Sequence, residues 1–165
     1  CSDIMDFDYK QYPIGHFTHI WASPECKVFS PLAHTNVGTN RHYKTKEDLL
    51  NTQEEHSKYI KKVLDILDYF KPTYYFIENP YASAIKKYVP EYMPYYRFDY
   101  CRFGFDYMKP TKIWTNKELH SHKCKCKGKH SATIGWSTNQ PKGRNRTDIN
   151  ERYSIPQNLL QYLFT

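Results

Sequence analysis

Cys26 lies in the run WASPECKVFS, directly after an apolar stretch, FTHIWA (Phe17 to Ala22), whose β-branched and aromatic content predicts a buried strand. A thiolate is a strong nucleophile, and the turn at the carboxyl end of a strand is where an α/β enzyme presents one. The opposing reading of one such cysteine is a small core residue. A second apolar run, YYFIENP (Tyr74 to Pro80), reaches polar residues at Glu78 and brings a carboxyl group to the same kind of position. Further along, KCKCKGKH carries Cys124, Cys126 and His130, with His120 and His122 upstream. Cys124, Cys126, His130 and His120 offer enough donors for a tetrahedral structural zinc site. The spacing is C-x-C rather than the usual C-x2-C, and the interleaved lysines suit phosphate contact equally well.

These groups need elements that bring them together. From about Lys46 to Phe70, Leu49, Leu50, Gln53, His56, Ile60, Val63, Leu64, Leu67 and Phe70 recur at helical spacing. Thr45 with Asp48 supplies an N-cap and a capping acid, and Pro72 marks the end. Strand, loop (Pro31 to Thr45), helix and strand make a crossover unit with a parallel sheet, so Cys26 and Glu78 share the sheet edge where ligands gather. A shorter helix is predicted over Ala82 to Tyr88, then a link through Pro90 and Pro94. RFDYCRFGF (Arg97 to Phe105) and KPTKIWTN (Lys109 to Asn116) follow as a hairpin with Gly104 near its bend. His120 to Gly143 lacks apolar periodicity and reads as loop, while Ser154 to Phe164 reads as a closing helix with Pro156 in its first turn. The fold class is α/β, a partly parallel sheet with flanking helices. Its expected parts are a catalytic core over 1–116, a short basic loop region over 117–150 and a closing helix over 151–165.

A chain of 165 residues buries roughly 70% of its unfolded surface and needs no disulfide or metal for a core. The net charge of +7 favours a polyanionic partner, nucleic acid first. The cysteines number five, an odd count, and no signal-like leader precedes them, which predicts an intracellular, reducing setting rather than secretion. No apolar run approaches the roughly 20 residues that cross a bilayer, so no membrane partner is expected. The first residue is Cys rather than Met, as in a piece of a longer or processed chain.

In their order, SPECKVFS, IENP and the basic hairpin resemble the cytosine-5 DNA methyltransferases, particularly the compact members from phages and large DNA viruses, over most of the chain. The resemblance implies a Rossmann-like methyltransferase domain acting on DNA with S-adenosylmethionine, in host cytoplasm or nucleus. In that family a Pro-Cys loop supplies the nucleophile and an ENV-type strand end the carboxyl. Cys26 and Glu78 match them, with Pro80 where valine is more usual. The thiolate of Cys26 would add to C6 of a flipped cytosine while Glu78 hydrogen-bonds or protonates N3. Asn79, Lys109 and Thr111 would be supporting residues. The hairpin overlies a Gln-x-Arg-x-Arg strand, placing Tyr107 at the Gln, Lys109 at the first Arg and Thr111 at the second. Lys109 offers a point charge there, not a planar fork.

For the methyl donor, Asp3 matches the acid that contacts the adenine amino group, Ile4 lies beside the ring, and Pro24 touches the same ligand. The family's glycine-rich donor loop is not among these residues, so the domain is expected to be N-terminally truncated. A preceding segment or a second chain would complete it, making one part of a split enzyme; otherwise the chain would be an inactive DNA-binding or virion-associated derivative. The Cys/His segment falls where the family carries target recognition, and Arg152 with Pro156 matches a structural R-x-x-x-P pattern before the last helix.

Overall fold

Two short strands whose amino ends start in register frame the first part of the chain. β1 (His19–Ala22) and β2 (Tyr74–Pro80) run parallel, in a register from His19↔Tyr74 to Ala22↔Ile77. With β3 (Tyr95–Asp99) and β4 (Pro110–Trp114) they form a four-stranded sheet of order β1-β2-β4-β3. The structure, a computed structural model, describes residues 3–39, 42–127, 130, 132–133, 145–146 and 153–165. It divides into one unit of Cys1–Tyr96 with Lys112–Leu119 and another of Arg97–Thr111 with His120–Thr165.

The connection between β1 and β2 is carried by α1 (Pro31–Thr35) and α2 (Lys46–Phe70). At the start of α2 the Thr45 hydroxyl accepts from the Asp48 amide at 3.1 Å, and the Asp48 carboxylate accepts from the Thr45 amide at 2.8 Å. This reciprocal cap satisfies two donors that a helix start leaves open. The helix ends at Lys71, which takes a left-handed conformation (φ 47°) just before Pro72. Its buried face is Leu49, Gln53, Ser57, Ile60, Val63, Ile66, Leu67 and Phe70. Leu50, expected on that face, is exposed. Ile60, Val63 and Leu67 pack with Val28, Phe29, Ile77, Ile85 and Trp114 in one core, where each large apolar side chain contributes about 1.5–3 kcal/mol by leaving water.

Local punctuation explains where the expected elements shift. Ser30 and Pro31 begin α1 inside the expected loop, because the Ser30 hydroxyl accepts from the Ala33 amide and proline suits a first helical turn. The segment after β2 is a 3-10 turn over Ala84–Tyr88, capped by Ser83, rather than an α-helix from Ala82. The first hairpin strand starts at Tyr95 and stops at Asp99, and Tyr100–Phe103 form a 3-10 turn that closes at Gly104 (φ 100°).

In the second unit, Phe98, Phe103, His122 and Tyr162 form an aromatic cluster, with ring centroids 5.0 Å apart for His122 and Tyr162. α3 (Gln157–Phe164) adds Leu159 and Leu163, and Pro156 stands at its N-cap rather than inside it. β5 (Ala132–Thr133) pairs in parallel with β6 (Asn145–Arg146). Arg152, and most of the region expected to form the basic loop, lie outside the described residues. No helix among the described residues is long and apolar enough to cross a membrane.

Ile60 has no exposed surface, so Ile60→Ala is expected to cost about 2–5 kcal/mol in urea unfolding, whereas Leu50→Ala stays within about 0.5 kcal/mol.

Candidate active site

The loop that carries Cys26 leaves the end of β1 and is pinned largely through its backbone. The Asn79 amide donates to the Pro24 carbonyl at 2.8 Å, and the buried Gln53 amide donates to the Val28 carbonyl at 2.9 Å. The Ala84 amide donates to the Phe29 carbonyl at 2.8 Å, while the Cys26 carbonyl itself closes a turn with the Phe29 amide at 3.1 Å. One side-chain pair joins them, His56 Nδ1 with Glu25 Oε2 at 2.9 Å. Val28 and Phe29 are buried, so the turn after Cys26 is also anchored by the core. Cys26 is partly exposed on this frame.

Glu78 follows Ile77, whose partner across the ladder is Ala22, and the Cys26 loop begins just past Ala22. The two residues therefore project from the carboxyl ends of neighbouring parallel strands. Glu78 is buried at 8% exposure and Asn79 is fully buried. Asn79 works through the loop: its amide nitrogen holds Pro24, and its Oδ1 has no hydrogen-bond partner among the described residues.

Two cavities border the loop on either side of Glu25. One of about 390 Å³ is lined by Ile4, Trp21, Pro24, Glu25, Tyr59 and Val63, among others. The other, of about 470 Å³, is bordered by Glu25, Lys27, Val28, His42, Tyr43 and His56 with further residues. The first brings together two of the residues expected at the donor, Ile4 and Pro24. Asp3 is not among its walls; its carboxylate accepts from the Met5 amide at 2.9 Å and caps the short turn that carries Ile4.

The remaining expected residues belong to the second unit. Lys109 lies with its ammonium 4.7 Å from the centre of the Tyr100 ring. Thr111 is fully buried and its hydroxyl donates to the Lys109 backbone carbonyl at 3.2 Å. Cys124, Cys126 and His130 come together, but the fourth member of their cluster is Cys101. His120 stands apart; its backbone amide donates to the Tyr162 hydroxyl and its surface is exposed. Burial, with the hydrogen bonds that the Cys101 thiol donates to Cys124 and Cys126 and the charge of those sulfurs, pushes its pKa up to about 12.

Gln53, His56, Tyr59 and Cys101 are the site residues that motif reading passed over. A signal was present for the first two: Gln53 and His56 are polar residues set within an apolar helical stripe. Cys101 had none, being a lone cysteine in an aromatic hairpin.

Asn79→Ala is expected to cost about 1 kcal/mol, since loss of the bond to Pro24 is partly offset by removal of an unsatisfied buried oxygen. Amide exchange across residues 25–30 should quicken, and unchanged exchange would mean the loop is held without Asn79.

No known family model matches the chain. It is similar to a "Probable DNA (cytosine-5)-methyltransferase" of Frog virus 3 (isolate Goorha), at 34% identity over 133 residues. The match covers 78% of this chain and 60% of that protein, so the chain spans less than two thirds of its relative's length. A relation of that extent places the chain in the cytosine-5 DNA methyltransferase family.

Proposed function

We propose that this chain carries the base-modifying part of a DNA (cytosine-5)-methyltransferase, with Cys26 as nucleophile and Glu78 as the group that engages N3 of the target cytosine. The supporting observation is the parallel β1–β2 register, which sends both residues off the same sheet edge while α2 and β2 pin the intervening loop. The Frog virus 3 relative carries that activity in its name.

C5 of cytosine is a poor nucleophile by itself. Addition of the Cys26 sulfur to C6 moves the ring electrons toward C5, and Glu78 engages N3 by hydrogen bonding or proton transfer, where negative charge would otherwise build up. A hydrogen bond from a buried group costs little reorganisation during the reaction, which is the advantage of the 8% exposure of Glu78. Covalent addition divides one difficult step into two easier ones. The target base must leave the duplex first, at a few kcal/mol of unstacking. The exposed Lys123, Lys125 and Lys127 are suited to phosphate contacts that offset this cost without reading sequence.

The 390 Å³ cavity is of ligand size and mostly apolar, with Trp21 and Tyr59 among its walls as aromatic contacts suited to an adenine. Ile4, Pro24, Trp21 and Tyr59 would hold S-adenosylmethionine there, with Asp3 shaping the Ile4 turn. When bound, that group supplies the electrophilic methyl. Pinning of Pro24 by Asn79 keeps one cavity wall and the nucleophile loop in a single rigid piece.

Duplex DNA containing 5-fluorocytosine tests the assignment, because fluorine cannot leave C5 as a cation and the sulfur adduct persists. With donor present, a denaturation-stable protein–DNA adduct is expected, and Cys26→Ser should abolish it. Glu78→Gln should slow its formation by about 10²–10⁴-fold. An adduct that survives in Cys26→Ser would refute the role of the thiol.

A further inference from the structure

The Cys/His cluster of the second unit has the donors and shape of a closed metal site. Sγ of Cys101, Cys124 and Cys126 and a ring nitrogen of His130 all lie within 4.8 Å of one another. Bonds of roughly 2.0–2.3 Å to sulfur and nitrogen give a zinc tetrahedron edges of about 3.3–3.8 Å. The Cys124 Sγ to His130 Nε2 separation, 3.4 Å, already has that length.

The frame around the cluster is built rather than incidental. Asp99 is fully buried, with its carboxylate accepting from Arg97 Nε at 2.8 Å, from Arg97 Nη2 at 3.0 Å and from the Cys124 backbone amide at 2.7 Å. The Asp99 amide donates to the His122 carbonyl, and the His122 amide to the Arg97 carbonyl at 2.7 Å. Cys101, two residues past Asp99, and Cys124, two past His122, are thereby tied across this bridge. Along Lys123 to Lys127 the lysines are exposed and the cysteines half-buried, as an extended strand alternates its faces. The Cys126 amide donates to Cys124 Sγ at 3.3 Å, and Lys127 turns the chain with φ 46° before His130.

We propose that Cys101, Cys124, Cys126 and His130 bind one Zn²⁺ ion, clamping the 3-10 turn after β3 to the basic segment and presenting its lysines outward. Three thiolates and a neutral imidazole suit a borderline-soft ion with tetrahedral preference, and with four protein ligands the site is structural, without an open position. Binding converts three thiols to thiolates with release of their protons and leaves the site at a formal charge of −1, which Lys123, Lys125 and Lys127 surround. The site is independent of methyl transfer, so it stands or falls apart from the role of Cys26.

The test is metal content of the intact chain, purified with zinc and without added chelator, followed by replacement with cobalt. One zinc per chain is expected, and a cobalt spectrum with intense tetrahedral visible bands and thiolate charge transfer. Cys101→Ser should lose bound metal by at least about tenfold in affinity, and His120→Ala should keep it unchanged. His130→Cys guards against simple unfolding: it should still hold one ion and strengthen the charge-transfer band through its fourth thiolate. Absence of zinc, a weak octahedral cobalt spectrum, a disulfide among the three cysteines, or retention of full affinity in Cys101→Ser would each overturn the proposal.

Discussion

The parallel ladder between β1 and β2 is the constraint on which the candidate site depends. Parallel neighbours cannot be joined by a tight turn, so the chain between them must cross over the sheet, and here it does so through the 25 residues of α2. Once the strands are in register from His19↔Tyr74, both must end on the same side, and whatever follows them meets there. Burial enforces the register, because Phe76 to Asn79 are all buried and a slip of one residue would reverse the faces they present. α2 then serves twice: its apolar face makes the core, and its polar residues Gln53 and His56 turn toward the loop beyond β1.

Much of this was legible because period and punctuation agreed. The bounds of α2 follow from Thr45, Asp48 and Pro72, and β2 follows from a continuous apolar run ending in Glu-Asn-Pro. The short elements were harder to read. A five-residue helix such as α1 leaves no period to detect, only the Ser30-Pro31 start signal, and one turn cannot separate a 3-10 from an α conformation at Ala84–Tyr88. At the candidate site, residue types single out Cys26 and Glu78, but what Asn79 and Thr111 hold follows from what their side chains reach. Asn79 holds a loop carbonyl and Thr111 a neighbouring one, bonds that no spacing in the sequence announces.

The second unit shows the same limit from another direction. Ligand spacing near Cys124 suggested a donor close in sequence, and His120 satisfied that rule. The fourth member of the cluster, Cys101, reaches it because a strand bridge at Phe98 and His122 folds the chain back on itself. Non-local pairing of this kind depends on backbone hydrogen bonds, which every residue carries and no residue type marks. The buried Asp99 is the one charged group that hints at it, since a carboxylate is rarely buried without partners of the kind it has in Arg97 and the Cys124 amide.

The Cys26 loop is gripped chiefly by its carbonyl oxygens, at Pro24, Cys26, Val28 and Phe29. A carbonyl is common to all residues, so the grip is indifferent to most side chains in the loop. Mutational drift at position 27 can therefore retune charge beside the sulfur while the path of the chain is inherited unchanged. A Lys beside Cys26 is thus a variation the scaffold tolerates, and the loop is a place where chemistry can diverge faster than shape.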